Sequence, residues 1–186
     1  MMKTDFRHAL RERTRTDHDL LDRMITTLDI AQLHDFRVFL QIHHCCFLVM
    51  QSRSLDQGLS TAPLSSMIDG LAMDLNIVSC NQSEIDLPIP SALDPLSIDY
   101  MVAGSRLGSK ILYKRWSAST HPCVQRANTY FGQTSDPKLW SETCRALSAV
   151  PSGSERADII VEDTKIQFQL FAAAFAKIVT AEDTLS

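Results

Sequence analysis

His18 lies in a stretch without one large apolar side chain, Arg11-Glu12-Arg13-Thr14-Arg15-Thr16-Asp17-His18-Asp19. Its neighbours at helical spacing are Arg11, Thr14, Arg15, Leu21 and Asp22. A neutral imidazole is a common iron ligand, and a carboxylate one turn away can hold its other ring nitrogen. The same spacing describes a solvent-exposed histidine on a charged helix, so the residues alone leave both readings open. A second stretch, Tyr100 to Leu112, reads as a helix yet holds two of the chain's 6 glycines, Gly104 and Gly108. Each glycine costs a helix about 1 kcal/mol relative to alanine. Four residues apart, the pair clears one patch of one face, where a neighbouring helix or a flat ligand can meet bare backbone.

Other reactive residues group less usefully. His43-His44-Cys45-Cys46 resembles a metal cluster by residue type, but four consecutive helical positions point around most of the cylinder and cannot close on one ion. Core and boundary packing is the expectation there. Cys123 and Cys144 have no partner in sequence. The chain has no phosphate loop, nucleophile elbow or paired-carboxylate spacing.

The elements that must position these residues read as helices throughout. The first is expected from about Thr4 to Leu28, with Phe6, Leu10, Leu20, Leu21, Met24, Ile25 and Leu28 at helical spacing. Since its middle is polar all round, something polar or a ligand is needed to hold that part. The second runs from about Ala31 to Leu55 and buries Phe36, Phe39, Leu40, Cys46, Phe47 and Met50. Pro63 opens a third through Met67, Leu71, Leu75 and Val78. A loop follows from Asn81 to Ser91, where Pro88 and Pro90 forbid a regular helix. Asp94-Pro95 is an N-cap followed by proline at the first helical position, and the helix it starts carries Gly104 and Gly108 to about Trp116. A short helix from His121-Pro122 to about Phe131 comes next. Asp136-Pro137 repeats the start signal before Leu139, Trp140, Cys144 and Leu147. Ser152 with Glu155 fits a capping box for a last helix, about Ser154 to Val179, with Ile159, Ile160, Ile166, Phe168, Leu170, Phe171 and Phe175 at its apolar positions. No segment alternates like a strand, and no repeat or linker divides residues 1–186. The expectation is one all-α, multi-helix bundle domain.

The totals narrow the function classes. With 186 residues the chain suffices for one domain with a core, and 45% apolar with 22% charged residues is ordinary for a globular protein. A net charge of −4 argues against a general nucleic-acid binder, which needs a basic face. No apolar run approaches the roughly 20 residues of a membrane span, and the charged start lacks a signal-peptide core. Five cysteines without framework spacing suit reduced thiols in the cytoplasm.

The run Leu10-Arg11-Glu12-Arg13-Thr14-Arg15-Thr16-Asp17-His18-Asp19-Leu20-Leu21-Asp22 resembles the N-terminal signature of the haem oxygenases, Leu-Arg-x-x-Thr-x-x-x-His-x-x-Leu-Asp/Glu. Tyr100 with Gly104-Ser105-Arg106-Leu107-Gly108 is similar to the distal-helix motif of the bacterial, phytochrome-associated branch, Tyr-Val-Leu-Glu-Gly-Ser-x-Leu-Gly. Asp35-Phe36-Arg37-Val38-Phe39-Leu40, and Tyr130-Phe131-Gly132 followed by Trp140, fit that branch more loosely. The likeness covers most of the chain in the right order.

This resemblance implies a haem oxygenase-like fold and the cleavage of haem to biliverdin, carbon monoxide and ferrous iron, using dioxygen and electrons from a separate reductase. It implies His18 as the axial iron ligand and Asp22 as the group that orients its ring. Arg11 and Arg15 become the candidates for the haem propionates, Tyr100 a cofactor contact, and Gly104, Ser105 and Gly108 the catalytic distal surface. A bacterial phytochrome is the implied recipient of the bilin. Two departures bear on turnover. The glutamate that often precedes the first distal glycine is Ala103, and the aspartate that follows it in animal-type enzymes is Ser105, as in the bacterial branch. Two other readings stay open: a non-catalytic haem carrier or sensor on the same fold, and a helical interaction module whose glycines only pack helices.

Overall fold

The computed structural model describes residues 5–79, 85–88, 90–134 and 136–183. Among them the fold is all-helical: α1 (Phe6–Thr26), α2 (Leu33–Arg53), α3 (Thr61–Ile77), α4 (Pro95–Ser117), α5 (Pro122–Arg126), α6 (Thr129–Gly132), α7 (Leu139–Ser148) and α8 (Glu155–Asp183). The sole β feature among the described residues is an isolated bridge between Ser54 and Leu93, which ties the chain before α4 to the end of α2. Thr4 and residues 81–84 and 89 of the expected loop lie outside the described residues.

Two hydrophobic cores share the long helix α8. The larger takes Phe36, Phe39, Leu40, Phe47 and Met50 from α2, Met67, Leu71 and Leu75 from α3, Val102 and Ala103 from α4, and Leu170, Phe171, Ala174 and Ile178 from α8. The smaller joins Phe6 and Leu10 of α1 to Leu96 of α4, Leu147 of α7 and Ala157, Ile160 and Val161 of α8. Between them α8 carries a polar layer, in which Asp163, Thr164 and Gln167 are buried. The Gln167 amide donates to Ser97 Oγ of α4 at 2.9 Å, and Thr164 Oγ1 donates back to Ile160 O at 2.7 Å. Helix α1 crosses the same interval: Phe6 and Leu10 serve the smaller core, and Leu21 and Ile25 pack against the larger. Its polar middle therefore sits where greasy contacts stop.

Several start and stop signals act as expected. Asp94 accepts from Leu96 N at 2.9 Å and caps α4, with Pro95 in the first turn. Its carboxylate also takes Arg156 Nε at 2.9 Å, and Asp94 N donates to Asp163 Oδ2 at 2.7 Å, so the start of α4 is fixed to α8. Others differ. Asp136 closes a turn on Lys138 N (2.8 Å), and α7 begins only at Leu139. The Ser154 hydroxyl accepts from Ala157 N at 3.2 Å and caps α8. The single short helix expected after Pro122 is two, because Ala127 and Asn128 leave helical geometry between them. Leu20, Ile159 and Ile166 face outward despite helical spacing, at 45%, 44% and 38% exposure.

Candidate functional site

Helices α1 and α4 both lean on α7 and α8 but make no extensive contact with one another. They approach each other at two places. At one, the Tyr100 phenol of α4 lies beside Thr14 and feels the charge of Arg11. Burial pushes the Tyr100 phenol up from its usual range, with Arg11 and Thr14 acting against that rise. At the other, the Arg115 guanidinium of α4 donates to Thr26 O (3.3 Å) and to Leu28 O, the carbonyls left over where α1 ends. His18 lies between these two places along α1, and Gly104 and Gly108 lie between them along α4.

The surface of α4 about the glycines is sparsely filled. A Cβ placed on Gly108 meets nothing within 4 Å, and one on Gly104 touches only Trp140 Cζ3, at 4.0 Å. The glycines therefore do not exist to admit a packed neighbour, which is what close helix packing would require. Beside them α4 exposes Leu107 (51%) and Ile111 (72%), apolar side chains with no core to enter. Trp140 of α7 lies against Tyr100, ring centroids 6.0 Å apart, and forms an aromatic wall at the Gly104 end.

The His18 side chain is 52% exposed, and the edge of its ring meets Phe168 of α8 at 5.6 Å between centroids. Its Nδ1 lies 3.5 Å from Asp22 Oδ2 and equally 3.5 Å from Asp19 Oδ1. Both are longer than a well-formed hydrogen bond, and both draw the Nδ1 side toward carboxylates. Nε2 is thereby the nitrogen left for a ligand, in the tautomer that an Nδ1–H to carboxylate contact favours. Asp19 was not evident as a partner because adjacent helical residues usually diverge; here a rotamer closes the difference.

The remaining predicted residues divide. Arg11 and Arg15 share the His18 face, seven and three residues before it. Arg15 is exposed and spans Glu12 (4.0 Å) and Asp19 (3.8 Å), loose contacts of small energy that an entering anion can replace. Ser105 lies beside the buried Tyr130, round the helix from Gly104. Ala103, in place of the family's glutamate, is buried in the larger core. Phe168 and Arg115 complete the surroundings and carried no local signal in the sequence; only the packing of α8 and the path of α4 bring them to α1.

His43 and His44 are buried, and Cys46 too, as core packing requires. Cys45, Cys46, Cys123 and Cys144 are free thiols. No cluster of three or more His, Cys, Asp or Glu among the described residues could hold a metal ion, so an ion at His18 needs most of its ligands from elsewhere. No helix among the described residues is long and apolar enough to cross a membrane. Compared with known proteins, the chain matches no family model, no curated protein and no solved structure.

Proposed function

We propose that the chain is a haem oxygenase of the bacterial, phytochrome-associated kind, which takes haem between α1 and α4. With dioxygen and electrons from a separate reductase it opens the ring to biliverdin, carbon monoxide and ferrous iron. One observation supports this reading above the others. Two helices meet where Tyr100 lies beside Thr14 and where Arg115 binds the end of α1, yet between these places stand a half-exposed histidine on one and glycines with open space above them on the other.

The donor set fits haem. A single imidazole suffices because a porphyrin brings four nitrogen ligands of its own, and the exposed Leu107 and Ile111 with Trp140 offer apolar surface for its edge. Bound there, haem supplies the chemistry of oxygen activation, and the chain supplies ligation, orientation and access. His18 Nε2 holds the iron while Asp22 and Asp19 orient the ring through Nδ1. Arg11 and Arg15 meet the carboxylates of the propionates. The bare backbone at Gly104 and Gly108 leaves room for dioxygen, where side chains would exclude it. Ser105, beside Tyr130, and Tyr100, beside Thr14, flank that backbone. A phytochrome in the cytoplasm is a suitable recipient of the bilin.

Adding haemin to the purified protein, then ascorbate in air, tests the reading by absorbance. The expected result is a one-to-one complex with a histidine-ligated spectrum, then loss of the haem band and growth of a bilin band. His18→Ala should lose the axial bond and turnover; unchanged spectra and activity in that variant would reject the site. Ala103 favours a second reading, a haem carrier or sensor, because a buried methyl can neither accept a proton nor hold water. That protein would take up haem and form no bilin. An interaction module would take up none.

A further inference from the structure

Helix α4 has a second, differently built face. Arg106, Ser109 and Tyr113 lie roughly half a turn round the helix from Gly104. Together with Lys110, Phe131 and Gln133 they line a cavity of about 210 Å³. Two of these six residues are cations and none is a carboxylate, in a chain whose net charge is −4. Among the described residues neither Arg106 nor Lys110 has an acidic partner. The Arg106 guanidinium donates through Nη2 to Gln133 Oε1 at 2.6 Å and lies 5.4 Å from the centroid of the Tyr130 ring. Gln133 is itself fixed, its amide donating to Ser66 O of α3 at 2.5 Å. Burial lowers the Arg106 pKa, with the Tyr130 phenol acting against the shift. The cation is thus partly desolvated, uncompensated by a counter-charge and held in place by a neutral amide.

The other walls are aromatic. The Phe131 ring stacks on Trp116 at 5.4 Å and meets the edge of Tyr113 at 6.4 Å, and Tyr113 is 48% exposed. A flat apolar body can lie against these rings while an acid group reaches the cations. The volume is below the roughly 300–1,000 Å³ of sites for drug-sized ligands, which restricts the occupant to a small molecule.

We propose that this cavity binds a small planar organic carboxylate, its acid group on Arg106 and Lys110 and its flat body against Tyr113 and Phe131. The site is independent of haem, since it uses the opposite face of α4 and none of the residues assigned to haem. A guanidinium with one arm engaged keeps further N–H donors for a carboxylate, which a lone ammonium cannot match in geometry.

Isothermal titration of the full chain at fixed ionic strength, with benzoate as the probe, tests the proposal. Benzyl alcohol serves as the neutral analogue and inorganic phosphate as the non-planar anion. Saturable benzoate binding is expected, with benzyl alcohol and phosphate at least tenfold weaker. Arg106→Gln should weaken benzoate at least tenfold. Lys110→Gln, at an exposed position that does not threaten the fold, should weaken it severalfold. Absence of saturable benzoate binding overturns the site. Equal binding of benzyl alcohol removes the acid group's role, and equal binding of phosphate removes that of the aromatic walls; either defeats the proposal. So does undiminished affinity in a folded Lys110→Gln protein.

Discussion

His18 and His43 show how differently one residue type is used. The first is half exposed at the edge of a helix; the second is buried among the rings of Phe39, Phe47, Tyr130 and Phe171. Its Nδ1 donates to Phe39 O at 2.8 Å, since a carbonyl can only accept. Desolvation outweighs that bond and lowers its pKa from 6.5 to about 4. The unfolded chain therefore takes up a proton near pH 6.5 that the folded chain refuses until about pH 4. Stability from this group is fully present above pH 6.5 and is lost as pH falls toward 4, by on the order of 3 kcal/mol. Burial raises the pKa of Asp74 and of Asp163, and these contribute the opposite slope at low pH. Urea unfolding at pH 7.5 and pH 4.5 should show a fall in the wild type that is clearly smaller in His43→Phe, which keeps both aspartates. An identical fall in the two proteins would mean that His43 is not the group responsible.

At the scale of the element, α4 combines a strong start, bare glycines and an unfilled face. Gly108→Ala adds a methyl where nothing lies within 4 Å, so the helix should gain about 1 kcal/mol, read as a higher thermal midpoint. Gly108→Leu should leave the fold intact but reduce haem uptake or turnover strongly. If the leucine variant handles haem like the wild type, the face above Gly108 is not where haem sits. Much of α4 was legible beforehand. Asp94-Pro95 carries a complete start signal, and Gly104 with Gly108 stand out against helix propensity. The identical dipeptide Asp136-Pro137 misleads by two residues, because an aspartate can close a turn on the amide two residues on without starting a helix there. Leu20, Ile159 and Ile166 have helical spacing but face solvent, as periodicity tells which residues share a face and not which face meets a partner. Ser105 was legible as part of a motif, but its orientation toward Tyr130 depends on where α6 lies, and no local pattern encodes that.

For the whole molecule, the relation of α1 to α4 is what matters. The polar interval between the two cores, spanned by α8, accounts for the polar middle of α1. That interval was visible only as the puzzle of an α1 middle with nothing to bury. Arg115 holds one side of the arrangement by binding the carbonyls at the end of α1. Arg115→Gln should destabilise the protein by about 1–2 kcal/mol, the usual effect of losing a charge-assisted hydrogen bond to backbone. It should also raise amide hydrogen exchange in the last turn of α1 while leaving α2 and α3 protected. Uniform loss of protection, or none, would show that Arg115 is not a local tie.

Mechanically, α4 is a beam clamped at each end and thinned at its centre. Its start is fixed to α8 through Asp94 and its far end to α1 through Arg115, while between them Gly104 and Gly108 leave one face of the span without side chains. Such a beam bows at mid-span when loaded, and its supports stay still. In the haem-binding reading proposed above, bending a few residues of α4 would let its bare face adjust to the thickness of a guest without sliding the helix along its neighbours.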